Sequence, residues 1–322
     1  MEKNSCVELR ENKFIANQET MVSVVMISYN VEKFIEKAVE SVLEQKTNFK
    51  VELVIGEDCS TDNTRKIALE YQNKYPNIIR VLLPEKNQGL TPNCVATHNA
   101  CKGKYIALLD GDDYWTNPNK LQMQVDFLEN NPSYSGSAHQ SMKIFDDGSS
   151  EPIPFGENID TDYELKDTLS HRKFHTSALV YRKEIWDKTG GIPASISSNE
   201  RAIYPMVAIF GKIRYFKESM CIYRLSGVGL SSRIDYKELE TDLAMIPWLK
   251  KIPSDFPAKK FKSFLHLCIY TYGTKKIPLF SLIKHYFLFC ILSFSYFPKN
   301  LGDIKWGSFE FIRILKRNIF TN

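Results

Sequence analysis

The cysteines of this chain lack metal-binding spacing. There are seven, at positions 6, 59, 94, 101, 221, 268 and 290, an odd number with no C-x-x-C pair. That excludes zinc-ribbon spacing and points to reduced thiols in a cytoplasmic protein rather than a disulfide framework. A strong charge of either sign is also missing. Forty-two Lys and Arg against 38 Asp and Glu leave +4, too small an excess to imply a nucleic-acid partner. Met1 to Thr20 is polar, without the apolar centre of a signal peptide. There is no internal repeat and no low-complexity segment. No Gly-x-Gly-x-x-Gly follows the first β-prone run, and no Gly-Lys-Ser/Thr loop occurs anywhere. These absences exclude dinucleotide and ATP sites of those two kinds. With 322 residues, 43% hydrophobic and 25% charged, the chain has room for one large α/β domain or a domain with an appendage.

What the chain does have is a run of strands that end in polar clusters. Tyr105-Ile106-Ala107-Leu108-Leu109 reads as a buried strand that runs into Asp110-Gly111-Asp112-Asp113. Three crowded carboxylates repel one another, and a divalent cation such as Mg²⁺ or Mn²⁺ relieves that. A solvated acidic turn is the plainer alternative. Val22 to Ile27 is a first strand, followed by Ser28-Tyr29-Asn30. Val31, Phe34, Ile35, Ala38, Val39, Val42 and Leu43 then share a helical face. Val51 to Ile55 is a second strand, ending in Gly56-Glu57-Asp58-Cys59 before a helix that reaches about Lys74. Ile78 to Leu83 is a third strand. Thr91 then caps a helix with Pro92 in its first turn, carrying Val95, Ala96 and Ala100. Alternation of this kind predicts a doubly wound, mostly parallel α/β sheet, with both acid clusters on the edge where such sheets hold ligands.

Four motifs in order carry a resemblance. Val24 to Asn30, Val54 to Asp62 (Val-Ile-Gly-Glu-Asp-Cys-Ser-Thr-Asp), Asn87-Gln88-Gly89 and Leu109 to Asp113 together resemble the family 2 glycosyltransferases. The likeness covers roughly residues 20 to 232. It implies a GT-A fold and metal-dependent transfer of a sugar from a nucleotide-sugar to a hydroxyl, with inversion at the anomeric carbon. By the same resemblance, Ser28, Tyr29 and Asn30 line the nucleoside pocket, and Asp58, with Glu57 beside it, binds the base. Asn87 joins the nucleotide-sugar site, Asp110 lies on the ribose side, Asp112 holds Mn²⁺ or Mg²⁺, and Asp113 supports them. Glu57 and Cys59 stand where the family usually has aspartate and glycine.

The second half supplies the remaining candidates. Asn117-Pro118 leads into a helix with Leu121, Val125 and Leu128 on one face. Short strands and loops are expected from Pro132 to Leu169, with an exposed loop over 146–162. His175 to Arg182 is expected to be a strand leading to Gly190-Gly191, with His175 a sugar contact or an ordinary packed histidine. Glu200 stands eleven residues before Gly211, where the resemblance puts the base that deprotonates the acceptor; the alternative is a helix-terminal acid held by the dipole. Gly211 to Phe216 is expected to be a strand. Tyr223-Arg224 and the glycine-containing segment after it resemble the part that closes over the diphosphate. Arg224 is the phosphate contact there, and Ser226 stands where histidine is common.

Residues 1–20 form a leader with no assigned role, 21–232 the catalytic domain, and 233–322 a helical C-terminal region. In that last region Asp235–Leu249, Phe261–Tyr272, Leu279–Phe294 and Phe309–Ile319 are expected helices. Its apolar, aromatic stretch is too short to span a membrane, which takes roughly 20 residues. Basic residues around it leave two readings: an interfacial anchor on an anionic leaflet, or an appendage packed on the catalytic domain or a second subunit. The expected activity is therefore a cytoplasmic enzyme, soluble or peripheral on the inner face of the membrane, that acts on a UDP-sugar and a glycan or lipid-linked glycan in surface polysaccharide synthesis. UDP is chosen by family frequency alone. The alternatives are a sugar-phosphate nucleotidyltransferase, whose basic glycine-rich loop is missing here, and a nucleotide-sugar-binding protein without turnover.

Overall fold

A computed structural model of the protein describes residues 7–9, 19–146, 151–225, 234–252, 255–273, 277–296 and 301–320. In chain order its strands are β1 (Val7–Glu8), β2 (Thr20–Ser28), β3 (Lys46–Thr47), β4 (Lys50–Glu57), β5 (Ile79–Leu82), β6 (Tyr105–Asp110), β7 (Tyr114–Trp115), β8 (Tyr134–Phe145), β9 (Ile153–Phe155), β10 (Thr161–Tyr163), β11 (Val180–Arg182) and β12 (Lys212–Leu225). The helices are α1 (Ile35–Leu43), α2 (Thr64–Lys74), α3 (Leu90–Asn99), α4 (Lys120–Asn130), α5 (Lys183–Thr189), α6 (Asn199–Ile209), α7 (Tyr236–Thr241), α8 (Met245–Leu249), α9 (Ala258–Tyr272), α10 (Leu279–Phe294) and α11 (Leu301–Phe320). The chain divides into two compact units, Met1–Ala194 with Ile203–Ser226, and Ser195–Ala202 with Gly227–Asn322.

The first unit is built on a mixed sheet in the order β10-β12-β8-β11-β6-β2-β4-β5. Within it β2 lies between β6 and β4, and its Val22, Val24, Val25 and Met26 are at most 2% exposed. A strand covered on both faces has no use for polar alternation, and β2 and β6 read accordingly. β6, β2, β4 and β5 are parallel. β11 runs antiparallel to both β6 and β8, and β12 parallel to β8. From β2 the chain moves outward through α1 to β4 and through α2 to β5, then returns by α3 to β6 on the other side of β2. The order therefore reverses between β2 and β6, and a crevice opens at the C-terminal ends of those two strands. α1 contributes Ile35, Ala38, Val39, Val42 and Leu43 to one core with Val24, Met26, Leu53 and Ile55, each large aliphatic being worth roughly 1.5–3 kcal/mol on burial.

Several local expectations give way to tertiary packing. α3 starts at Leu90 with Gly89 (φ 89°) as its cap, so Thr91 lies inside the helix. Its buried face is Thr91, Asn93, Cys94, Thr97 and His98 rather than the alanine face. The reason is Gly56. A Cβ there would stand 2.1 Å from Thr97 Oγ1, and Asn93 Nδ2 donates to the Gly56 carbonyl at 2.8 Å. The His175–Arg182 segment is a 3₁₀ turn, Thr176–Ala178, before the short β11. Tyr134–Phe145 is one long strand, and Gly211–Phe216 grows into the 14-residue β12, with register shifts near Phe216 and Ser219.

The second unit is helical. Asp235–Leu249 is broken into α7, a 3₁₀ turn and α8, and α11 begins at Leu301 rather than Phe309. Asp242, 1% exposed, accepts from Ser197 N and Ser198 N at 2.9 and 3.1 Å and from Arg201 at 3.2 Å, which fixes the start of α6. Among the described residues, no helix is long and apolar enough to cross a membrane.

Candidate functional site

The crevice is floored by three strand ends in register. Ile27 pairs with Asp110, and Ser28 with Glu57. Gly111 N donates to the Ile27 carbonyl at 3.0 Å. A Cβ at Gly111 would meet Ile27 O and Ser28 Cβ, both at 3.1 Å, so the acid turn lies tightly on β2 and a side chain at 111 would push its neighbours by a few tenths of an ångström. Two non-glycine residues beside it have left-handed backbones, Asn30 (φ 53°) and Cys59 (φ 58°). Asn tolerates that region because its short side chain can bond locally. Here Asn30 Oδ1 accepts from Thr61 N at 2.8 Å, and Asn30 N donates to Ser60 Oγ at 3.0 Å. The loops after β2 and β4 are thereby tied together. Tyr29 stands 39% exposed beside them.

The second acid cluster organises its own loops. Glu57 is fully buried. Its carboxylate accepts from Ser60 N at 2.7 Å and from Arg65 Nε at 2.5 Å. Asp58 N donates to Ser28 O at 3.0 Å. The Asp58 carboxylate accepts from Gln88 N at 2.8 Å and Gly89 N at 2.9 Å, and Asn87 Nδ2 donates to Asp58 O at 2.9 Å. The Asn87-Gln88-Gly89 motif is thus held against the end of β4.

The third cluster is the densest. Asp113 is buried, and its Oδ2 accepts from His175 Nε2 at 2.5 Å and Ser177 Oγ at 2.7 Å. Its Oδ1 accepts from the Arg224 backbone N–H at 2.9 Å. The His175 ring stacks on Tyr223 with centroids 3.9 Å apart, and its Nδ1 is buried without a hydrogen-bond partner among the described residues. The Arg224 guanidinium donates to Asp112 O at 3.0 Å and Asp146 Oδ1 at 3.2 Å and lies 4.7 Å from the Phe34 ring centre. Burial, and then the Asp113 charge, push the Asp112 carboxyl up to about 7. One ligand atom each of Asp110, Asp113 and His175 falls within 4.8 Å of the others. Two carboxylates backed by a third, under mutual repulsion, fit a hard divalent cation, and the imidazole fits either as a nitrogen donor or as the group that orients Asp113.

Ser28, Asn30, Asp110 and Gly111 thus meet at the switch point, with Asp112, Asp113 and Arg224 joined to them through the acid turn. Glu57, Asp58 and Asn87 shape the adjoining edge. Glu200 lies half-buried in the first turn of α6, in the part of the chain that clusters with the C-terminal helices. Ser226 and the glycines after it lie outside the described residues. Ser177 and Asp146 are site residues that the sequence does not mark, and Phe34, expected on an apolar helical face, lies against Arg224 instead. No local signal marks them, because each matters only through a partner distant in the chain.

Residues 23–189 match the model of glycosyl transferase family 2. An uncharacterized protein of Mycobacterium tuberculosis is 33% identical over 213 residues, 65% of this chain. The aligned part spans 60% of that relative's own length. A UDP-Glc:α-D-GlcNAc-diphosphoundecaprenol β-1,3-glucosyltransferase of Escherichia coli is 38% identical over 115 residues, 35% of this chain and 44% of that protein. The crystal structure of Staphylococcus aureus TarS residues 1–349 with UDP-GlcNAc superposes with a TM-score of 0.62 at 17% identity, over 92% of this chain and 89% of that one. That likeness makes the fold GT-A-like, a mixed α/β sheet followed by helices. With more than half of its residues under the family model, the chain belongs to glycosyl transferase family 2.

Proposed function

We propose that this protein is a metal-dependent inverting glycosyltransferase that moves a sugar from a nucleotide-diphosphate sugar, with UDP as the nucleotide, to a hydroxyl of a glycan or lipid-linked glycan in polysaccharide synthesis. The observation that carries the reading is the junction of the β2 and β6 ends, where Ser28-Tyr29-Asn30 meets a triple carboxylate turn locked by His175, Ser177 and Arg224. The E. coli relative's UDP-Glc donor and diphosphoundecaprenol-linked acceptor, and the TarS complex with UDP-GlcNAc, support the donor and acceptor classes.

In this reading Ser28, Tyr29 and Asn30 line the nucleoside pocket, and Asp58 holds the base-side loop with Glu57 and Asn87. Asp112 would hold Mn²⁺ or Mg²⁺, with Asp110 on the ribose side and Asp113 in support, and the ion would as a Lewis acid offset charge on the departing diphosphate. Arg224 reaches the same charge with its guanidinium. Glu200 accepts the acceptor's hydroxyl proton as that oxygen bonds to the anomeric carbon from the face opposite the leaving group. The bond from that carbon to the diphosphate oxygen breaks, and the nucleoside diphosphate leaves with the electron pair.

The test is nucleotide release from UDP-, GDP- and dTDP-sugars with Mn²⁺ or Mg²⁺, with and without a lipid extract. It is run on wild type, Asp110→Asn, Asp112→Asn and Glu200→Gln. Turnover of one donor, removed by chelation and by the substitutions, is the expected result. Donor binding without metal-dependent release in any condition would replace this reading with a nucleotide-sugar-binding protein.

A further inference from the structure

We infer that the C-terminal helices dock on an anionic phospholipid surface through α10 and α11. The inference rests on which side of α10 is covered. Phe280, Ile283, Phe287, Ile291 and Phe294 recur at helical spacing on one stripe, and that stripe faces out. Phe280, Phe287 and Phe294 are 80%, 62% and 75% exposed. The covered side carries His285 and Ser293 along with Leu282 and Phe289. His285 Nδ1 lies 2.9 Å from His266 Nδ1, and Ser293 Oγ 2.7 Å from Ser263 Oγ. A helix that buries its polar groups and shows its aromatics to solvent is inverted for a protein ending in water.

The adjacent helix repeats the pattern. α11 packs on α10 through Tyr286 and Phe311, stacked at 3.9 Å, and exposes Phe309 and Ile312 at 64% and 51%. The charges on the two helices decide the partner. Lys284, Lys305, Arg313, Lys316 and Arg317 are exposed, and no exposed residue in 277–296 or 301–318 is acidic. Lys284 pairs with Glu240 and Arg313 with Glu310 inside the unit. The net field over the apolar stripe is positive, which suits an anionic leaflet. In a two-fold dimer the patch would meet its own copy, setting an excess of cations against cations, since Asp303 is the one part-exposed acid of the two helices among the described residues. The stripe from Phe280 to Phe294 is about 21 Å long at 1.5 Å per residue, short of a span, so α10 lies in the interface with its aromatics among the upper acyl chains.

The test is flotation of the full chain with vesicles of phosphatidylcholine alone and of phosphatidylcholine mixed with phosphatidylglycerol. Binding is expected with the mixed vesicles and weakens with salt. Phe287→Ser and Phe294→Ser should each lower the partition coefficient about 10-fold, and Lys305→Ser and Lys316→Ser each about fivefold. All four side chains are exposed, so the far-ultraviolet circular dichroism and unfolding midpoint should stay as in wild type, as should donor hydrolysis without lipid. Absence of flotation with the mixed vesicles would overturn the inference. So would flotation that ignores these substitutions, or a dimer in solution that Phe287→Ser dissociates.

Discussion

His175 Nε2 and Asp113 Oδ2 stand 2.5 Å apart in a buried pair, 62 residues apart in the chain. Ser177 and the Arg224 N–H complete the set of donors around that carboxylate. The Asp113 orientation is therefore fixed by three segments that meet only in the folded unit.

His175→Gln keeps a donor in reach but shortens it and removes the ring stack on Tyr223. Loss of a group that orients a metal-binding carboxylate typically costs 10–100-fold in metal affinity or activity. The metal concentration for half-maximal nucleotide release should rise by about that factor, with the donor KM less affected. A fall in stability with an unchanged metal requirement would make His175 purely structural.

The Glu57–Arg65 pair should matter chiefly to folding. Glu57 is fully buried, whereas the Arg65 side chain is 33% exposed. Arg65→Met leaves a buried carboxylate with only the Ser60 N–H, and breaking a pair of this kind costs roughly 3 kcal/mol. Urea unfolding should report that loss, and Glu57→Gln should cost less because the remaining group is neutral.

Cys59 has the backbone that glycine takes most easily. Cys59→Gly should change stability by about 1 kcal/mol or less, since relief of the left-handed strain is partly offset by greater freedom in the unfolded chain. Cys59→Val, β-branched at positive φ, should destabilise by roughly 1–3 kcal/mol. A lack of difference between the two in thermal unfolding would mean that the loop adapts at no cost.

Acid should weaken both units. Burial holds the His98 imidazole down to about 4 from the ordinary 6.5, and burial together with the His285 charge holds His266 down to about 3. Below pH 6.5 the unfolded chain takes up protons that these folded sites refuse. The stability they carry is therefore whole above about 6.5 and falls as the pH drops toward the folded values, by up to about 1.4 kcal/mol per pH unit for each site. Denaturant unfolding between pH 7.5 and 4.5 measures the slope, and His98→Phe should remove one share of it.

Part of this was legible in the chain. The strands and helices around β2, β4 and β6 follow from short apolar runs broken by Asn, Asp, Gly and Pro, and the fourfold motif set named the family. The switch-point acids were legible because strand, turn glycine and carboxylates are contiguous. The buried face of α3 was not legible, because close approach at Gly56 selected the side bearing Asn93 and Thr97.

The sequence alone determined the order of strands and helices and the acids at their ends, because periodicity and turn chemistry act over a few residues. Only the tertiary structure decided that Asp113 belongs with His175, Ser177 and Arg224, at separations of 62, 64 and 111 residues. It alone decided which side of α10 is covered, because a helix apolar nearly all round carries no internal preference and takes its orientation from the neighbour that offers His266 and Ser263 as partners.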